Sequence, residues 1–231
     1  MPQPLPPGGE QRPIATIDIV IVTLSEGALR LGLQLRDRDP HEGKPALIGG
    51  YVRPEEDDDI ESSARRILAD KGRLTGLYLE QLRTFGGPDR DPRGWSISIA
   101  FLALVPEEAL RAAQERGASP FELIDPERCP PLPFDHSRII AAALQRLRSK
   151  ASYSTLPAFL LGPHFTLPEL KSVYETVMGT PLNDSAFRRK LMEMRILEEV
   201  EAKAAATAER KRPAQMYRLA RETLTEFDRT V

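Results

Sequence analysis

The stretch GGYVRPEEDDDIESSARRILADKG, residues 49–72, decides how this chain is read. A Gly-Gly pair with two bulky neighbours leads into a run of acids, Glu55, Glu56, Asp57, Asp58, Asp59 and Glu61. The spacing of Ile60, Ala64, Ile67 and Leu68 predicts a helix over 60–71 that buries one stripe, with Gly72 placed to terminate it. The acids precede or open that helix, where their ordinary account is a solvated loop or favourable charge near a helix N-terminus. Upstream, IATIDIVIVTL (14–24) is β-branched and mostly apolar, a buried strand, and ALRLGLQLR (28–36) alternates at period two. With Ser25-Glu26-Gly27 as the turn, the two form a hairpin. Residues 37–44 are polar and loop-like. Downstream, 78–85 and 95–105 read as strands, 107–116 as a short helix and 129–133 as a Pro-rich connection. A helix over 137–150 then follows, capped by Asp135 or Ser137.

Composition narrows the function classes. The chain has 231 residues, 41% hydrophobic and 29% charged, enough for one large or two small globular domains. No apolar run approaches the roughly 20 residues that span a bilayer, and the Pro- and Gly-rich residues 1–13, read as a flexible tail, lack the apolar core of a secretory signal. The single cysteine, Cys129, excludes an internal disulfide, a cysteine zinc site and a Cys-x-x-Cys redox centre, and a reducing cytoplasm is the natural compartment. The formal net charge is −2, so nucleic-acid binding would have to come from a local basic patch.

Such patches stand in the last third, where short helices replace strands. Residues 154–161 form one helical piece. Thr166-x-x-Glu169 is a capping box, with Pro168 early in the helix over 166–178, and Asn183 or Asp184 caps a further helix over 185–195. Strands follow at 196–201 and 215–219, separated by an Ala-rich, basic segment over 202–213. Helix, helix, then a hairpin with a basic tip is the order of a winged helix-turn-helix. The second helix carries Arg188, Arg189 and Lys190, with Arg195 beyond, while Phe187 and Leu191 anchor its other face. The tip adds Arg210, Lys211 and Arg212, and residues 209–218 hold four basic side chains against one acidic. Arginine forks onto guanine, and either cation neutralises phosphate. We place the boundary between the two halves near residue 150.

The 49–72 stretch resembles the Nudix box, a loop–helix–loop whose glutamates hold Mg²⁺ against a pyrophosphate; magnesium demands such hard oxygen ligands. Counted back from Gly72, the box arginine falls on Arg65 and the apolar position on Ile67, but the three glutamate positions are Arg66, Ala69 and Asp70. One is reversed in sign, one deleted and one shortened, so the expectation is no catalytic residues, no resident metal and no cofactor. A damaged Nudix box followed by a winged helix resembles one family, the Nudix-related transcriptional regulators (NrtR), bacterial repressors of NAD metabolism genes. Segments that carry the resemblance are Glu80-Gln81-Leu82, Arg90-Asp91-Pro92-Arg93-Gly94-Trp95-Ser96, Leu132-Pro133-Phe134-Asp135-His136, Phe165-Thr166-Leu167-Pro168-Glu169-Leu170 and Phe187-Arg188-Arg189-Lys190.

The resemblance implies an α+β protein. Residues 14–149 would be a Nudix-like α/β/α sandwich with a mixed sheet, and 150–231 a winged-helix domain. The first half would bind ADP-ribose or a related NAD-derived nucleotide without hydrolysing it, and a homodimer would bind palindromic double-stranded operator DNA. Carried onto this chain, Arg36, Arg93 and the Gly49-Gly50 backbone are effector-binding candidates on the phosphate side, with Tyr51 and Trp95 as stacking surfaces or, for Trp95, strand core. Arg188, Arg189, Lys190, Lys211 and Arg212 are the DNA-binding candidates, and Asp135 and His136 either cap a helix or couple the domains. Two other readings remain: a Nudix hydrolase acting on ADP-ribose or a related nucleoside diphosphate derivative, and a Nudix-like regulator of sugar utilisation.

Overall fold

In strand β1 (Ile14–Ser25), side chains alternate between two faces, and both faces are apolar: Ile17, Ile19 and Ile21 on one, Val20 and Val22 on the other. A strand apolar on both faces belongs in the middle of a covered sheet. The computed structural model describes residues 12–117, 120–203 and 214–228, and places β1 there. Glu26 and Gly27, both at positive φ, turn the chain into β2 (Ala28–Leu35), as the hairpin reading expects. The other edge of β1 pairs in parallel with β6 (Ser96–Leu104), which pairs antiparallel with β5 (Tyr78–Gly87). Three short strands complete the sheet: β3 (Pro45–Ala46) and β7 (Glu122–Ile124), both on β2, and β4 (Ile48–Tyr51).

The pairing of β4 creates the site. It takes positions 16–19 of the edge of β1 whose positions 21–25 belong to β2. The sheet therefore forks, and the gap lies between β4 and the outgoing end of β2.

Helices cover both faces. α1 (Ile60–Gly72) and α2 (Glu107–Glu115) bury Ala64, Ile67, Leu68, Leu110 and Ala113 against Ile17, Ile19 and Ile21. The opposite face meets α3 (His136–Ala151) through Ile139, Ile140, Ala143, Leu144 and Leu147. Gly72 is the last residue of α1, not the left-handed terminator expected: Arg73 takes that conformation, at φ 52°. A Cβ on Gly72 would press on Ile48 Cδ1 and Leu74 Cδ1, both at 3.3 Å, so the glycine serves close packing. Asp59 caps α1 in a reciprocal box with Ser62.

Beyond α3, a 3₁₀ turn (Leu156–Leu160) leads to α4 (Leu167–Met178), α5 (Asp184–Glu193), β8 (Leu197–Lys203) and β9 (Gln215–Leu219). The Thr166–Glu169 capping box is present, and the Asn183 side chain caps α5. Phe165 bridges to Tyr217 of β9 through two backbone hydrogen bonds, adding a third short run to the β8–β9 hairpin. Phe165, Leu170, Tyr174, Phe187, Leu191, Ile196 and Tyr217 form the core of this winged helix. Most of the expected tail and the whole basic tip, including Arg210, Lys211 and Arg212, fall outside the described residues.

Candidate effector cavity and nucleic-acid interface

A cavity of about 450 Å³ occupies the fork. β2 and the loop after it contribute Arg36, β4 contributes Gly49, Gly50 and Tyr51, α1 contributes Arg66 and Lys71, and the 88–95 loop contributes Arg90 and Arg93. Phe134 and His136 close it from the start of α3. Eight cationic side chains face it against four carboxylates, so it is built for an anion.

The floor is a buried ion network. Asp18 interrupts the apolar run of β1 on the face that α3 covers. Burial alone would raise its carboxyl pKa, but His136 and Arg90 outweigh that and hold it well below the usual range. Arg90 reaches Asp18 Oδ2 at 3.0 Å and Asp135 Oδ1 at 2.8 Å. His136 Nδ1 accepts the Leu47 backbone N–H at 3.2 Å, which leaves Nε2, 3.5 Å from Asp18 Oδ1, as the protonated nitrogen. Asp135 stands at the N-cap position of α3 without making a side-chain cap, so the capping reading of Asp135 and His136 does not hold. Their side chains instead fasten the start of α3 to β1 and to the 88–95 loop.

The walls are more exposed. Arg93 is paired with Asp91 through Nε and Nη2 at 2.9 and 2.6 Å, lies 5.5 Å from the Tyr51 ring centroid and donates to the Tyr51 hydroxyl. Tyr51 remains 48% exposed, an aromatic surface open to a ligand. The Arg36 guanidinium sits 4.9 Å from the Phe134 ring centroid and donates to the Pro40 carbonyl at 2.7 Å. Burial, then repulsion from Arg93, push its pKa below the usual arginine value. Gly49 faces Asp18 so closely that a Cβ there would lie 2.5 Å from Oδ1 and 2.7 Å from the Ile17 carbonyl oxygen. Of the effector candidates, Arg36, Gly49, Gly50, Tyr51 and Arg93 come together here. Trp95 is neither strand core nor cavity wall: it is 42% exposed and packs near Gly86. Asp18, Arg90 and Lys71 were missed as site residues. An aspartate inside a buried strand was the available signal, because a buried charge demands a partner.

Helix α1 does not fit a catalytic magnesium. Arg66 turns toward the cavity and donates to both oxygens of Asp57, at 2.6 and 2.8 Å, and to the Tyr51 carbonyl oxygen. Asp57 is thereby a buried partner, not part of a solvated loop as the acidic run suggested. Ala69 offers no ligand, and Asp70 is well exposed. Among the described residues no cluster of three His, Cys, Asp or Glu side chains could hold a metal ion.

At the other end, α5 buries Phe187 and Leu191 and presents Arg188 and Arg189 to solvent. Lys190 is half-buried. Arg189 keeps only a loose 3.9 Å contact with Glu193. The helix is anchored on one face and cationic on the other. Among the described residues no helix is long and apolar enough to cross a membrane.

A forked Nudix-type sheet with a cationic cavity, joined through one helix to a winged helix, defines a class: transcription regulators with a Nudix-like domain. Residues 157–219 match the family model described as the NrtR DNA-binding winged helix domain. The ADPR responsive transcriptional repressor NtrR of Acinetobacter baylyi is 36% identical over 217 residues, 94% of this chain and 84% of the relative. The crystal structure of Shewanella oneidensis NrtR superposes with a TM-score of 0.85 at 32% identity, covering 94% of this chain and all of that one. The same protein complexed with a 27mer DNA gives 0.85 at 33%, covering 94% and 99%. Its Nudix domain complexed with ADP ribose gives 0.53 at 30%, covering 62% of this chain and 94% of that one. The chain belongs to the NrtR family of Nudix-related transcriptional regulators.

Proposed function

We propose that this protein is a DNA-binding repressor of NAD biosynthesis or salvage genes whose Nudix-like cavity senses ADP-ribose or a closely related NAD-derived nucleotide. The observation that carries this is the physical link between two charged sites: the cavity floor is fastened by Asp135 and His136 to α3, and α3 runs into the winged helix that presents Arg188 and Arg189. We take 14–149 as the sensing half and 150–231 as the DNA-binding half, acting in the cytoplasm as a homodimer on a palindromic operator. A two-fold dimer sets its reading helices about one DNA turn apart. Arg188, Arg189, Lys190, Lys211 and Arg212 contact the operator. Arg36, Arg93, Tyr51 and the Gly49-Gly50 backbone hold the effector, and Trp95, outside the cavity wall, stacks only if the ligand extends past it.

The protein is not a hydrolase in this reading, because Arg66 and Ala69 stand where metal ligands are needed. The rival is favoured by one similarity: 35% identity over 105 residues to the ADP-ribose pyrophosphatase of Methanocaldococcus jannaschii, covering 46% of this chain and 60% of that enzyme. Incubation with ADP-ribose and Mg²⁺ separates the two, since turnover at enzyme rates would establish the rival.

The direct test is a mobility shift on DNA from upstream of the protein's own gene. Retardation that ADP-ribose reverses is expected; no retardation on any duplex offered would remove the repressor reading. Arg188→Ala or Arg189→Ala should each cost about 1–3 kcal/mol of operator affinity if it contacts a base. Wild-type affinity in either variant would take that residue out of the reading set.

A further inference from the structure

The cavity faces two groups of cations. Arg38, Arg66, Arg90 and Arg93 each contact a carboxylate: Asp37, Asp57, Asp18 with Asp135, and Asp91 respectively. Arg53 pairs with Glu56, whereas Arg36, Lys71 and the exposed Arg73 make no such contact among the described residues. Arg36 donates to the Pro40 and Arg38 carbonyls, and Lys71 Nζ donates to the Gly49 carbonyl oxygen. A carbonyl satisfies a donor's geometry but brings no opposite charge, so Arg36 and Lys71 face the cavity with no carboxylate in contact among the described residues, Asp37 and Asp18 acting on them only from farther off. Arg36 also stands near enough to Arg93 to be repelled by it, and an anion between them would relieve that repulsion.

Arg66 completes the arrangement. A nucleoside diphosphate in a Nudix-type fold meets its charge compensation on the cavity side of the box helix, where carboxylates would hold a divalent ion. Here Arg66 occupies that side; of the carboxylates near it, Asp57 is spent on it and on the Ser63 hydroxyl at 2.6 Å, and the exposed Asp70 lies 4.0 Å from the same guanidinium. A divalent ion would have to displace a bidentate guanidinium from its partner and then accept a cation as neighbour.

We infer that this cavity holds a pyrophosphate-bearing nucleotide without a metal ion, its two negative charges neutralised by Arg36 and Lys71, while the Arg66–Asp57 pair fills the metal's place. The inference rests on the effector reading above and adds the chemistry of recognition. It makes the sensor respond to the nucleotide alone, independent of free magnesium.

The test is calorimetry of the full chain with ADP-ribose in EDTA and again in Mg²⁺. Equal affinity in the two buffers is expected. Binding that appears only with Mg²⁺ overturns the inference while leaving the effector reading intact; no binding in either buffer overturns the effector reading and this one with it. Arg36→Gln and Lys71→Gln should each weaken binding in EDTA by roughly ten- to a hundred-fold, the range for a lost charge-assisted hydrogen bond. Wild-type affinity in both variants, with the fold verified by its melting transition, also overturns it. Arg66→Glu combined with Ala69→Glu should make ADP-ribose binding depend on Mg²⁺; a double variant still indifferent to the ion would show that Arg66 does not decide the metal requirement.

Discussion

Single residues in β1 and β4 carry the site, and Asp18 is the clearest. Its folded-state carboxyl is depressed by His136 and Arg90 against the opposing effect of burial, so the unfolded chain takes up this proton first. Its contribution to stability is therefore intact above the ordinary aspartate value of about 4 and is lost as the pH falls from there toward the depressed value. The urea midpoint should decline below about pH 4, and Asp18→Asn should flatten that acid limb while costing about 1–3 kcal/mol at neutral pH. An unchanged acid limb in the variant would show that other carboxylates set it. Gly49→Ala drives a methyl group into Asp18 and the Ile17 carbonyl, with backbone on one side that cannot yield. It should cost about 1–3 kcal/mol in denaturant unfolding, and near-wild-type stability would mean that β4 can shift off β1. Arg66 and Ala69 were legible residue by residue, at positions counted back from Gly72. Asp57 as the partner of Arg66 was not, because nine positions of loop and helix separate them and only the fold brings them together.

At the scale of elements, α4 and α3 show how the two halves meet. Leu170 and Tyr174 of α4 face the winged-helix core, whereas Val173 and Val177 face the core shared by α3 and the sheet. One helix is thus a wall of both cores, and its two stripes blur the single periodicity a sequence reading looks for. The long helices and strands were legible because each sustains its period. β3 and β7 have two and three residues, too short to show any, and they exist only because β2 offers them an edge. A second junction is polar. Glu80 on β5 binds Lys150 Nζ at 3.1 Å and also Arg146, and accepts from the Tyr78 hydroxyl, while the Tyr78 ring stacks 4.5 Å from Phe159. Burial would raise the Glu80 pKa, but these donors bring it below the usual value. Glu80→Gln leaves two half-buried cations without their carboxylate and should cost about 1–3 kcal/mol. A loss that Arg146→Met restores would assign the cost to the stranded charge; no loss at all would show that apolar packing alone holds the end of α3.

Taken whole, the molecule has its charged cavity at the start of α3, which at sixteen residues is about 24 Å long, and its winged helix follows the end of that helix in the chain. From Ile139 to Ala151 this helix is packed into the sheet core. On the proposed function, occupancy would be transmitted by α3 moving as a rod from its fastened end, because the Arg90–Asp135 and His136–Asp18 contacts lie against the cavity and hold the start of that helix. An effector weakens DNA binding only if it binds the non-operator arrangement more tightly, and on the proposed function the coupling is reciprocal: ADP-ribose would lower operator affinity by the same factor by which operator would lower ADP-ribose affinity. For a typical allosteric regulator that factor lies at about 5–150. Asp135→Asn removes the charge that ties Arg90 to α3 while leaving Arg36, Lys71, Arg188 and Arg189 in place. Each ligand should still bind alone, and the coupling factor should fall toward one in both directions, measured as operator affinity with and without ADP-ribose and as ADP-ribose affinity with and without operator. A variant that keeps the wild-type factor in both measurements would mean that the signal leaves the cavity by the sheet and the Glu80 junction, not by the start of α3.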